Sequence, residues 1–195
     1  LWVENEFSPD EPYRLQLLVK NQKGFLNLSE LISQAYLENQ QRNKPIVKES
    51  WLFKKNEGLI VLSGATSGML GYLLAQNKIE EISPYLERWK SCFAERFFIE
   101  IQRHGRDRFR ELQERYIEKA AFLASEHNLP LVATHPIQFM EEADYRAHEA
   151  KTCISDGYIL GDQRRPKNFT PDQYFKSTEE MIEMFKDIPS AIENT

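Results

Sequence analysis

Four histidines, two cysteines and a scatter of carboxylates are the groups in this 195-residue chain that could do chemistry. His104 directly follows the strand-like run Arg96–Arg103, and in parallel α/β folds such strand ends carry ligands and acid–base groups. His135 ends a second such run, Leu129–Thr134, but Pro136 behind it removes a donor and fixes the turn. For both, the favoured reading is structural, and for His104 it is a strand-end imidazole bonded to a loop carbonyl. Asp144 and His148 stand four apart on an expected helix and could clip a metal, although a helix-bracing or solvated pair is the simpler reading. His127 near a helix C-terminus is explained by the dipole alone. Glu100 lies within a strand and has no partner identifiable from sequence. Arg164, Arg165 and Lys167 could meet phosphates, but three basic residues in a loop are usually solvated.

What is missing weighs more. A metal cluster needs several donors converging from different strand ends. Those ends read Lys20-Asn21, Ser63-Gly64-Ala65, Arg103-His104-Gly105 and His135-Pro136-Ile137-Gln138, and only the last two hold a possible ligand. Ser63-Gly64 and Ser67-Gly68 lack the frame of a nucleophile elbow, and neither glycine-rich nucleotide motif occurs. A net charge of −5 gives no basic footprint for nucleic acid. Cys92 and Cys153 are far apart, which fits a reduced, cytoplasmic setting better than a disulfide scaffold or zinc ribbon. No apolar run approaches the roughly 18 residues of a membrane span. On residues alone this is a poor enzyme.

The elements that must position these groups follow from the apolar pattern. Leu1-Trp2-Val3 is strand-like from the first residue, without an initiator Met, so a fragment of something longer is expected. Arg14–Lys20 reads as a mostly buried strand broken at Gly24, and Leu28, Leu31, Ile32, Ala35 and Tyr36 as one face of a helix. Asn39–Ser50 reads as a polar loop, and Gly58–Gly64 as a central parallel strand. A short helix over Gly68–Asn77 precedes a longer one marked by Ile79, Ile82, Leu86, Trp89 and Phe93, with Pro84 placed in a first turn capped by Ser83. Arg96–Arg103 is the next strand. Asp107 then caps a helix whose stripe is Phe109, Leu112, Tyr116, Ala120 and Leu123. After the strand at Leu129–Thr134, Glu141–Ser155 is helical and stopped by Gly157. Ser177 and Glu180 form a capping box, and a last helix starts after Pro189. Strands alternating with helices imply a mostly parallel α/β fold, with a doubly wound sheet and part of a βα barrel both open.

The runs Leu17-Leu18-Val19-Lys20-Asn21, Gly24–Leu28, Ser33-Gln34-Ala35-Tyr36 and Gly58–Gly64 resemble the alpha subunits of bacterial replicative DNA polymerase III. So do Glu100–Gly105, Leu129–Thr134, Ala147-His148-Glu149, Ser177–Met181 and Asp187–Thr195, in order and spacing along residues 1–195. The region resembled is the N-terminal polymerase-and-histidinol-phosphatase (PHP) domain. The resemblance implies a partial (β/α)7-type PHP barrel, its first strands upstream of Leu1 and the palm beyond Thr195. It also places family metal ligands at four positions: a His at Arg14, a Cys at Ala65, and an Asp and a His at Pro136 and Gln138. None of these is a good donor here. His104 belongs to the strand-end signature but is not carried over as a ligand.

The resemblance therefore implies a degenerate, metal-free PHP domain, with no catalytic, cofactor or metal residues of its own. Its role would be a scaffold docking the proofreading exonuclease subunit and other polymerase III holoenzyme subunits. DNA and palm-bound Mg would be reached through the parent DNA-directed DNA polymerase, in the cytoplasm. The alternative is a residual metal-dependent phosphoesterase or 3′–5′ exonuclease using His104, His135 and upstream ligands. An unrelated βα-barrel hydrolase is a third, weaker reading.

Overall fold

Strands β3 (Gln16–Val19), β6 (Leu59–Leu62), β7 (Phe97–Gln102) and β8 (Leu131–Thr134) lie side by side in that order in a computed structural model describing residues 1–104 and 108–195. The three apolar runs at 59–62, 97–102 and 131–134 become strands as expected, and β6–β7 and β7–β8 pair in parallel. A second four-stranded sheet is ordered β2 (Tyr13–Arg14), β1 (Trp2–Val3), β5 (Lys44–Val47), β4 (Gln40–Gln41). Here β1 runs parallel to β5, but β1–β2 and β4–β5 are antiparallel, as is β3–β6 in the first sheet. The fold is thus mixed α/β rather than mostly parallel, and the described strands pair into two sheets without barrel closure.

Several expected elements are corrected. The mostly buried strand over Arg14–Lys20 is two pieces, and β3 is an edge strand that leaves Leu18 and Val19 exposed, because no crossover helix covers its outer side. Gly24 does not break a strand; it sits in the first turn of α1 (Gln22–Glu38), capped by the Asn21 side chain. A Cβ there would stand 1.9 Å from the Gly58 carbonyl oxygen, so glycine lets α1 pack against the start of β6. The stretch Asn39–Ser50 is not a loop but the hairpin β4–β5 followed by the start of α2 (Glu49–Lys54), with Ile46 and Val47 buried.

After β6, α4 (Ile79–Phe93) packs on β7 of the first sheet, and α3 (Met69–Ala75) packs against α4 and β2 of the second. Helix α4 begins at Ile79 with Glu80 and Glu81 against its positive end, so Pro84 lies inside it rather than at its start. Its buried stripe ends in Trp89 and Phe93, and the Trp89 ring stacks on Phe93 and on Phe97 of β7 at 5.5 Å from each. Each such buried ring stabilises the fold by about 1.5–3 kcal/mol. In α5 (Arg108–Glu126), Gln113, Tyr116, Ile117, Ala120 and Ala124 face inward, while Leu112 of the expected stripe is exposed. Gly105, the Asp107 cap and the Phe109 side chain lie outside the described residues. Helices α6 (Tyr145–Asp156), α7 (Thr178–Met184) and α8 (Pro189–Glu193) complete the chain, with the Gly157 stop and the Ser177–Glu180 capping box both in place. No helix of the described residues is long and apolar enough to cross a membrane.

Candidate functional site

Alternation along β7 decides what faces the strand-end cleft. Ile99 and Ile101 enter the core, so Glu100 and Gln102 point to the opposite face. The cleft has a volume of about 550 Å³, and its walls include Arg14, Glu100, His104, Gln113, His135 and Gln138. The sequence candidates on the β7 and β8 ends therefore do converge.

Glu100 is 1% exposed, and both oxygens of its carboxylate accept hydrogen bonds. One oxygen accepts from the Gly64 N–H at 3.0 Å; the other accepts from Gln102 Nε2 at 3.0 Å and from the Thr134 hydroxyl. Its backbone is held too: the N–H donates to Ser63 Oγ at 2.9 Å, and the carbonyl accepts from Tyr116 Oη at 3.1 Å. Gly64 can present its N–H because it adopts φ +83°, with the Arg14 carbonyl 2.1 Å from where a Cβ would stand. Burial raises the Tyr116 phenol, which stays protonated and able to donate.

The two histidines are neutral supports. Gln113 brackets His104, its Oε1 accepting from the His104 N–H and its Nε2 donating to the ring Nδ1, both at 2.8 Å. Burial lowers the His104 pKa, and nearby His135 adds to this. His135 Nε2 lies 2.7 Å from the Asp172 carbonyl, which fixes the ring proton on Nε2 because a carbonyl only accepts. Burial lowers its pKa as well. The loop-carbonyl partner expected for His104 is replaced by the Gln113 side chain, whereas His135 bonds a loop carbonyl.

The four positions picked out by resemblance are placed as follows. The Arg14 guanidinium lies 4.4 Å from the centre of the Trp2 ring, a cation–π contact. Ala65 is buried in the turn after β6. Pro136 contributes its carbonyl to Gln173 Nε2 at 3.0 Å, and the Gln138 N–H donates to the Gln173 carbonyl at 2.8 Å. Among the described residues, no three His, Cys, Asp or Glu side chains come together as metal ligands would.

The remaining candidates lie apart from this cleft or serve it structurally. Asp144 and His148 do not pair: the Asp144 carboxylate accepts from the Glu141 N–H, and the His148 ring sits between Phe139 and Phe169. His127 bonds Glu87 and Ser83, so side chains and not the dipole alone explain it. Arg164 pairs with Asp162, and Arg165 pairs with Glu149 at 2.6 Å with both side chains largely buried, not solvated as expected. Sequence reasoning missed Gln102, Gln113, Thr134 and Gln173, whose carboxamides and hydroxyl satisfy the site. It also missed Arg103, whose buried guanidinium binds Glu114, Asp187 and the Met184 carbonyl and ties α7 and α8 to the end of β7.

A cleft at parallel strand ends, on a mixed α/β frame, is the setting in which the comparisons fall. Residues 1–104 match the PHP domain, and the chain belongs to that family. Over its whole length it is similar to DNA polymerase III subunit alpha. It is 41% identical to the Pseudomonas fluorescens protein over 196 residues and 40% identical to that of Vibrio cholerae over 193 residues. The matches cover 100% and 99% of this chain but 16% of each relative, so the chain spans about a sixth of their length.

Proposed function

We propose that this chain is a metal-free PHP region of a replicative DNA polymerase III alpha subunit, part of the family's barrel, and a scaffold rather than a catalyst. The observation that carries this reading is the commitment of both Glu100 carboxylate oxygens to protein donors. Its oxygens are committed to Gly64, Gln102 and Thr134, and a metal would have to displace donors that are themselves buried or half-buried. The two imidazoles beside it are likewise bonded to Gln113 and Asp172, and Arg14 brings a positive charge to the same cleft. This donor set does not fit a divalent cation, and without one there is no activated water for phosphodiester hydrolysis.

In this reading the domain contributes to template-directed DNA synthesis in the cytoplasm by holding its neighbours in place. It is the docking platform for the proofreading exonuclease subunit, while polymerisation and its Mg lie elsewhere in the parent protein. The test is elemental analysis of the full-length protein after exposure to zinc and manganese, with hydrolysis of a model phosphodiester under saturating metal. Polymerase-inactive full-length protein is expected to hold far less than one metal per PHP domain and to leave the diester intact. Stoichiometric metal accompanied by hydrolysis would establish the residual phosphoesterase or 3′–5′ exonuclease instead.

A further inference from the structure

We propose that residues 168–175 form a fixed cover that closes the strand-end cleft to a polynucleotide. The segment carries no helix or strand, yet it lies on the exit of β8 through a run of specific bonds. The Gln138 N–H donates to the Gln173 carbonyl at 2.8 Å, the Phe175 N–H to the Phe139 carbonyl at 3.0 Å, and His135 Nε2 to the Asp172 carbonyl at 2.7 Å. Phe139 and Tyr174 form a parallel bridge, so the cover is paired to the loop after β8 as a strand would be.

Gln173 is the bolt. It is 4% exposed, and its carboxamide donates to the Pro136 carbonyl at 3.0 Å while accepting from the Thr170 N–H at 2.9 Å. The far end is anchored by Phe169, whose ring meets His148 edge-on at 4.7 Å and whose carbonyl accepts from Tyr145 Oη at 3.3 Å. Asn168, Phe169 and Gln173 thereby become walls of the cleft that holds Glu100, His104 and His135. A strand-end centre that acts on nucleic acid must be reached by an extended backbone, and a wall bonded at both ends cannot swing aside to admit one. This inference does not depend on whether a metal binds, so the two readings can fail separately.

Hydrogen exchange and histidine modification of the full-length protein test it. In the wild type, the Ile137 and Gln138 amides, bonded to the His135 and Gln173 carbonyls, should exchange slowly, and His135 should react slowly with diethyl pyrocarbonate. Gln173→Ala removes both carboxamide bonds and should speed both processes about 10-fold while protection of β7 stays unchanged. Gln173→Glu keeps the acceptor and loses the donor, and should fall between. A short oligothymidylate should leave the wild-type His135 reaction rate unchanged. Free exchange of the Ile137 and Gln138 amides in the wild type, oligonucleotide protection of wild-type His135, or equal loss of protection throughout β7 in both variants would each overturn the cover.

Discussion

Glu100 and Glu49 are both drawn into this molecule, and they are held in opposite ways. Glu100, at the cleft, is surrounded by uncharged donors: a backbone N–H, a carboxamide and a hydroxyl. Glu49, at the start of α2, takes the Tyr13 hydroxyl at 2.5 Å and the Arg88 guanidinium at 3.1 Å, and Arg88 also reaches Glu6. Neutral donors at Glu100 cross-link β6, β7 and β8 without supplying a counter-charge. A charged partner at Glu49 instead fastens the small second sheet to α4. The position that resembles a catalytic centre is therefore built as a junction, and the position remote from it is built as an ion pair.

The largest effect should come from breaking the junction. Glu100→Ala leaves the Gly64 N–H and the Thr134 hydroxyl without their acceptor, leaves the Gln102 amide with Thr134 Oγ1 alone, and opens a void between three strands. A loss of about 3–5 kcal/mol in urea denaturation is expected. Glu100→Gln preserves shape but turns one acceptor into a donor facing other donors, so it should cost roughly half as much. A loss below about 1 kcal/mol for Glu100→Ala would mean that the cleft relaxes around the missing group and that Glu100 is not a structural acceptor.

Glu100 also shows how far the sequence could be read. Its strand was plain from an apolar run of β-formers, and the alternation of Ile99 and Ile101 with Glu100 and Gln102 marks a polar face. Its partners were not, because they come from the turn after β6 and the end of β8, and carboxamides at irregular spacing carry no pattern. His104 and His135 could be placed at strand ends for the same reason that β7 and β8 could be placed. The β4–β5 hairpin was hidden because its paired residues, Gln40-Gln41 and Lys44-Pro45, are not β-formers and its two-residue turn, Arg42-Asn43, reaches positive φ at both positions without a glycine. Pro84 misled because burial of the α4 stripe outweighs one lost backbone bond. Barrel closure, which rests on the resemblance, has no local signature at all.

A smaller effect should sharpen the other half of the comparison. Tyr13→Phe removes the hydroxyl from Glu49 and leaves Arg88 in place, so about 1.5 kcal/mol is expected, as for a hydrogen bond to a charged acceptor. Combining it with Glu49→Gln in a double-mutant cycle should give a coupling energy of similar size. Additive losses would show that Tyr13 is held by packing rather than by the carboxylate.

The smallest effect is one of pH, and its sign separates two kinds of ion pair. Burial raises the Glu49 carboxyl above its usual value, against the pull of Tyr13 and Arg88. The folded state then binds this proton more readily than the unfolded chain does. Its contribution is fully present below the ordinary glutamate value of about 4.3 and is lost as pH rises through the raised one. Asp187 behaves oppositely: its hydrogen bonds from Arg103 lower its carboxyl, so its contribution is present at neutral pH and disappears as pH falls through the lowered value. Wild type should therefore lose ground against Glu49→Gln between pH 4.5 and pH 7, by less than the Tyr13→Phe loss, in paired urea titrations. A difference that stays constant across that window would mean that ionising Glu49 carries no burial penalty. Glu49 would then be a solvated surface ion, and the contrast with Glu100 would reduce to one of exposure.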